Sequence, residues 1–401
     1  MPNFFAVCAP GLEPFTAREL KDLGLQVTPS TSSLGPLEGT GGVEEIGGVS
    51  FRGSPTDLYR ANLHLRTASR VLLHLGSFFA DTFSDLKRRA KRLDWESYLN
   101  PGSAVALRVA CHKSRLFHSA AVTERVMESI GSRLGRIPPI RKFGGEEEGD
   151  PPPLIFVRLV ENRCTVSLDS SGALLSRRGY RLATAKAPLR ETLAAGILMA
   201  SRWSLKSPLV DPFCGAGTIP IEAALMARNI APGVNRHFAF MDWPNFEAET
   251  WKRLKALSRE GEAKSSPPIM GSDRDAGAIR AAGENAERAC VADSLVFSRR
   301  PLSDLDPPPG PGWVVTNPPH GVRLKSRQDL RSLYIRLGRV LRAKCPGWNV
   351  AVLCASDPLL KLTGINFDRW FPMQSGGLRV SLARGRISPQ KEFDFRKELI
   401  R

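Results

Sequence analysis

Two short stretches carry the residues that could do chemistry. Asp211-Pro212-Phe213-Cys214-Gly215-Ala216-Gly217-Thr218 follows the apolar run Pro208-Leu209-Val210. Further along, Thr316-Asn317-Pro318-Pro319-His320-Gly321 follows Trp313-Val314-Val315. Each reads as a buried strand that ends in an abrupt polar turn. In the first turn, Gly215 and Gly217 let the backbone approach a ligand, and a helix starting at Thr218 aims its free N–H groups at the same place. Asp211 adds a carboxylate that suits a cationic ligand. No Gly-Lys-Ser/Thr follows, so this is not a nucleotide P-loop, and the full GxGxxG of dinucleotide binders is also missing.

The second turn suits a planar amine. An exocyclic amine on a base is a weak nucleophile, because its lone pair is delocalised into the ring. The Asn317 side-chain oxygen and the Pro318 carbonyl can hold its two hydrogens, Pro318 and Pro319 stiffen that geometry, and the ring of His320 can stack on the base. Acceptor oxygens also suit positive charge developing on nitrogen. Between the turns, Gly271-Ser272-Asp273-Arg274 ends another apolar run. There Asp273 can accept both hydroxyls of a ribose. A nucleoside cofactor and a gripped amine together imply methyl transfer to nitrogen.

The surrounding elements must place these turns. From Pro188 onward, helices alternate with short apolar strands: helix 189–204, strand 209–210, helix 218–228, strand 269–272, helix 276–289, strands 295–297 and 313–316, helix 329–341 and strand 349–354. That grammar predicts a doubly wound α/β sheet. Residues 242–262 read as a polar helical insertion. Before Pro188 the pattern is α+β: strands at 4–9, 48–53, 71–79 and 104–110, helices at 14–23, 55–65, 82–92 and 118–134, and a hairpin of 154–160 with 164–168. Residues 30–42 and 143–153 read as loops.

The chain has 401 residues, a net charge of +17 and seven Cys. The cysteines show no CxxC or metal-ligand spacing and read as reduced thiols, which points to the cytoplasm. No run reaches the length of a membrane span, and no secretory leader is evident. The positive charge is clustered, with eight Lys/Arg over 107–142, five over 170–190 and eight over 321–344. Nucleic acid is the expected partner. Lys113, Arg115, Arg177, Arg178, Arg181 and Arg323 are the candidate contacts. Trp95 and Tyr98 read as core rather than as stacking platforms.

At this point the chain resembles class I S-adenosylmethionine-dependent RNA methyltransferases with an N-terminal THUMP domain. Its string DPFCGAGTIPIEAA is specific to that group. Further resemblance lies in FFAVCAPGLEPFTARELKDLG, in LDWESYLNPGSAVALRVACHKSRLFHSAAVTERV, in SRRGYRLATAKAPLRETLAAGIL, in RNIAPGVNRHFAFMDW and in SGGLRVSLARGRI. It implies a ferredoxin-like domain over 1–65, a THUMP RNA-binding domain over 66–170 and a Rossmann-fold methyltransferase domain over 171–401. It also implies S-adenosylmethionine as cofactor and formation of N2-methylguanosine in rRNA (as in the RlmL-like enzymes) or in tRNA. The implied site takes Asp211, Phe213, Cys214, Gly215, Gly217, Thr218, Asp273, Arg274, Asp304 and Asn317 to the cofactor. Asn317, Pro318, Pro319 and His320 go to the base. The expected partner is structured RNA bound by a monomer, without membrane or metal.

Three positions depart from the family pattern. His320 stands where relatives carry another aromatic, Val322 where they carry an acid, and Pro301 where an adenine-binding Asp is expected, with Ser303 or Asp304 as substitutes. Two alternatives stay open: a catalytically impaired RNA-binding protein, and a methyltransferase for DNA adenine or a protein glutamine amide.

Overall fold

A computed structural model describes residues 1–28, 47–142, 151–181, 189–319, 327–375 and 378–388. They form two compact units: Met1–Arg178 with Ala231–Gly261, and Gly179–Ile230 with Glu262–Arg401.

In the first unit the chain runs β1 (Asn3–Cys8), α1 (Glu13–Asp22), β2 (Gln26–Val27), β3 (Gly47–Arg52), α2 (Pro55–His64), β4 (Ala68–Phe79), α3 (Phe83–Ala90), β5 (Ala106–His112), α4 (Ser119–Leu134), β6 (Leu154–Val160) and β7 (Arg163–Asp169). Local chemistry starts the helices. Ser54 and Asp57 close a capping box on α2, and Thr82 caps α3 through the Asp85 N–H. All the strands join one sheet in the order β2-β3-β1-β4-β7-β6-β5. Its spine is β4, which pairs with β1 on one side and β7 on the other. Trp95 is fully buried, and its indole N–H donates to the Ala90 carbonyl at 2.9 Å. Tyr98 is half-buried and meets Trp243 edge-on, with centroids 5.0 Å apart.

The chain continues through α5 (Glu191–Ser201), β8 (Leu209–Asp211) and α6 (Thr218–Ala227). Residues 231–261 then belong by packing to the first unit, although they interrupt the sequence of the second. They carry α7 (Ala248–Glu260) and an aromatic cluster. Tyr59 stacks on Phe240 at 4.5 Å, Phe238 on Phe240 at 5.2 Å, and Trp251 stands edge-on to both Phe238 and Phe240. A stretch that looks polar along the sequence is therefore anchored by a few large rings, all buried.

The second unit resumes with β9 (Ile269–Asp273), α8 (Ala276–Arg288), β10 (Leu295–Arg299), β11 (Trp313–Thr316), α9 (Arg327–Lys344), β12 (Asn349–Cys354), α10 (Asp357–Lys361), β13 (Phe367–Ser375) and β14 (Leu378–Arg386). The sheet order is β10-β9-β8-β11-β12-β14-β13. Strands β8 to β12 pair in parallel, and β14 and β13 close the edge antiparallel. This is the doubly wound sheet expected from the alternation of helices and strands. β13 lies beyond the strands that the sequence pattern marks. Strand order reverses between β8 and β11, and in such sheets the ligand crevice opens at that reversal, outside the carboxyl ends of the strands.

Candidate active site

Both turns of interest leave the sheet at this reversal, because β8 and β11 are neighbours. Asp211 is the last residue of β8 and only 1% exposed. Its Oδ1 accepts the Phe213 N–H at 3.1 Å and the Thr316 hydroxyl at 2.6 Å. Among the described residues, Oδ2 receives no hydrogen bond. Burial is the main cause that lifts this carboxyl to about 7. The Thr316 and Phe213 hydrogen bonds oppose the rise, and the charge of Asp273 adds to it.

The loop after Asp211 is held from several sides. The Cys214 N–H donates to the Ser272 carbonyl at 3.0 Å, and the Asn285 amide donates to the Ala216 carbonyl at 3.0 Å. Gly217 has φ +82 at the N-cap of α6, a conformation that a side chain would resist. No side chain caps that helix and Pro220 has no N–H, so its first turn offers the N–H groups of Thr218 and Ile219. A Cβ placed on Gly215 would enter open space, the kind of gap a cofactor fills. Cys214 is buried, and burial raises its thiol well above the usual range, so it packs rather than reacts.

Asp273 ends β9. Its Oδ2 accepts the Gly215 N–H at 3.1 Å and its Oδ1 the Asp275 N–H at 3.0 Å. The helix-capping role falls instead to Asp275, which accepts from Gly277 and Ala278. A carboxylate has about four acceptor positions, so Asp273 keeps room for two hydroxyls. Arg274 is exposed. Beside β9 and β10, a small hollow is lined by Ser272, Ser298, Arg300, Leu305 and Asp306. Asp304 and Asp306 are both exposed; Asp304 lies on the turn Leu302–Asp304, and Asp306 borders the hollow and pairs with Arg300 at 3.3 Å.

Asn317, Pro318 and Pro319 follow β11 directly. Under this turn lies Tyr334 of α9, fully buried, its hydroxyl 3.5 Å from the Pro319 carbonyl and 3.2 Å from the Cys354 sulfur. Thr316, Asn285 and Tyr334 are supports to which the sequence pattern assigns no role. Thr316 lies inside one of the two motifs. Asn285 and Tyr334 sit mid-helix, where sequence alone shows only a polar position. His320 and Arg323 lie outside the described residues.

The candidate nucleic-acid contacts divide. Lys113 is exposed with φ +46. Arg115 is exposed and pairs with Asp81 at 3.1 Å. Near them the Phe117 ring, 66% exposed, lies 4.0 Å from His118. Arg177 is half-buried. Arg178 corrects the expectation of a surface contact. It is 6% exposed and donates to the Leu175 carbonyl at 2.7 Å and the Arg66 carbonyl at 2.6 Å, so it staples the fold. Arg181 is likewise engaged, by Glu191 at 2.6 Å, with little of its side chain exposed.

The fold and the site define an α/β enzyme of the methyltransferase type, with its two polar turns side by side at the strand reversal. The family model for the RMKL-like methyltransferase domain matches residues 178–380. Those for the RlmL ferredoxin-like domain and the THUMP domain match residues 3–72 and 80–169. A putative RNA methyltransferase of Synechocystis sp. is 33% identical over 95% of this chain and 96% of its own length. A ribosomal RNA large subunit methyltransferase K/L of Methylococcus capsulatus is 34% identical over 98% of this chain but 52% of its own length, so the chain spans about half of that relative. Among solved structures, a putative methyltransferase in complex with SAH superposes with TM-score 0.81 at 29% identity, covering 98% of this chain and 99% of its own. A predicted N6-adenine-specific DNA methylase of Listeria monocytogenes gives 0.82 at 31%, covering 96% and 95%. The chain belongs to the RMKL-like methyltransferase family.

Proposed function

We propose that this protein is an S-adenosylmethionine-dependent RNA methyltransferase that forms N2-methylguanosine in large-subunit rRNA. The observation that carries the reading is the adjacency of β8 and β11 at the strand reversal, so that the Asp211–Thr218 loop and the Asn317-Pro318-Pro319 turn leave neighbouring strands. The relatives' names and the THUMP match support RNA as the substrate.

S-adenosylmethionine supplies an electrophilic methyl group on a sulfonium. The Oδ2 of Asp211, which receives no hydrogen bond among the described residues, would take its ammonium, the first turn of α6 its carboxylate, and Asp273 the ribose hydroxyls. Asn317 Oδ1 and the Pro318 carbonyl accept the two hydrogens of the guanine amine and tilt its lone pair out of the ring plane. The N–CH3 bond would form as the S–CH3 bond breaks, with the neutral thioether S-adenosylhomocysteine as leaving group; no strong base is needed before attack, because the amine proton becomes acidic only as the new bond forms and then passes to water. The target base must leave its stack to reach this turn.

Asn317→Ala should lower methyl transfer by at least about a hundredfold while cofactor affinity stays within a few fold. Full activity of that variant would remove Asn317 from the mechanism. In a strain lacking the gene, mass spectrometry of rRNA and tRNA nucleosides should show a lost N2-methylguanosine in rRNA. A loss confined to tRNA would move the substrate, and a lost methyladenosine would change the base.

A further inference from the structure

We propose that Thr316 is a positioning residue whose hydroxyl clips the end of β11 to the end of β8, holding the Asn317 turn and the Asp211 carboxyl in one frame across the crevice. The inference rests on the reading that Asp211 meets the cofactor. The backbone ladder between the two strands pairs Leu209 with Trp313 and Val210 with Val314, and goes no further. On its other side β11 stays paired with β12 through Thr316 and Val352. The strands that flank the crevice therefore part just before the residues that matter. There the 2.6 Å bond from Thr316 Oγ1 to Asp211 Oδ1 takes over from the ladder. Thr316 is fully buried and Asp211 1% exposed, so water does not compete for this bond.

The Thr316 hydroxyl and the Phe213 N–H both occupy Oδ1, which leaves Oδ2 without a hydrogen bond among the described residues. Thr316 is thus one residue away from Asn317 along the chain and one hydrogen bond away from the Asp211 carboxyl. A Thr chosen only as a strand former would be matched by Val, which has the same shape. The chemistry predicts otherwise. Burial already disfavours the charged carboxylate, the negative Asp273 on β9 disfavours it further, and the Cys214 thiol of the loop stays neutral. The Thr316 bond is the leading opposing influence. Without it, the carboxyl would ionise only at higher pH, and a cationic ligand would meet a neutral partner at pH 7.

The test is calorimetry with S-adenosylhomocysteine, which carries the same ammonium, from about pH 6 to about pH 9, around the range where Asp211 ionises. Wild-type affinity should rise with pH through about 7. Thr316→Val should move that rise upward by about one pH unit and weaken binding at neutral pH by about fivefold. Thr316→Ser should restore the wild-type profile, and Thr316→Ala should behave as the valine does. A valine variant that matches wild type at every pH would overturn the proposal. So would a loss that is equal at every pH and not restored by serine. Asp211→Asn, titrated in parallel, separates the layers. If it binds as wild type does, Asp211 is not a cofactor contact and the inference falls with that reading. If it binds weakly while Thr316→Val does not, only the role of Thr316 falls.

Discussion

At the scale of single residues, the site turns on the buried acid that ends β8. Asp211 is raised to about 7 chiefly by burial. Its unfolded counterpart titrates near 4, so the folded state binds the extra proton between about pH 4 and about pH 7. Stability from this group is therefore present at the acid end of that window and is lost as pH rises through it. Cofactor binding runs the opposite way, because the ammonium needs the carboxylate. Asp211→Asn should weaken binding at about pH 8, where the native carboxylate is charged, by at least about tenfold, and should flatten the pH dependence of affinity. Thermal unfolding of the same variant near neutral pH should show no loss, and calorimetry with scanning unfolding checks both signs. The sequence showed that an acid ends this strand. It could not show that a hydroxyl a hundred positions later shares that acid, because hydrogen bonds across a sheet depend on which strands become neighbours.

At the scale of elements, the helices and strands of the second unit were legible wherever apolar runs ended in Gly, Pro or Asp. β11 and β12 fall on the expected residues, and α6 begins at the expected Thr218, with Gly217 as its N-cap. Residues 231–261 were less legible. Their helix was expected, but the packing was not, because Trp251 of the polar stretch meets Phe238 and Phe240 from before it, and the three rings close on Tyr59 of α2 far earlier in the chain. Trp251→Ala should destabilise the first unit by about 3–5 kcal/mol. Denaturant unfolding followed by tryptophan fluorescence would measure it, and a loss below about 1 kcal/mol would show that the cluster repacks.

At the scale of the whole molecule, net charge is the dominant feature. With +17 over 401 residues, RNA affinity should fall steeply with salt, log K declining linearly with log salt concentration. Replacing Lys113 and Arg115 together by Ala should weaken RNA binding and reduce the salt slope by roughly one to two, about one for each phosphate no longer neutralised. An unchanged slope in filter-binding assays across a salt series would place the RNA elsewhere. Arg178→Ala should act instead through stability, since its guanidinium lies in the fold. Composition announced a polyanion partner. Which cations are free to meet it depended on burial, which a charge count does not contain.

By itself the sequence determined the alternation of elements, the two turns and their residue types, and the excess of positive charge. These are local or additive properties, fixed by propensity, periodicity and composition. Only the tertiary structure decided that β8 and β11 are neighbours at the strand reversal, and that Thr316 bonds to Asp211. It likewise decided that Asp275 caps α8 while Asp273 faces the loop, that Asp306 rather than Asp304 lines the hollow, and that Arg178 is buried. Each of these rests on groups far apart in the chain, and long-range pairing is set by the packing of the whole sheet.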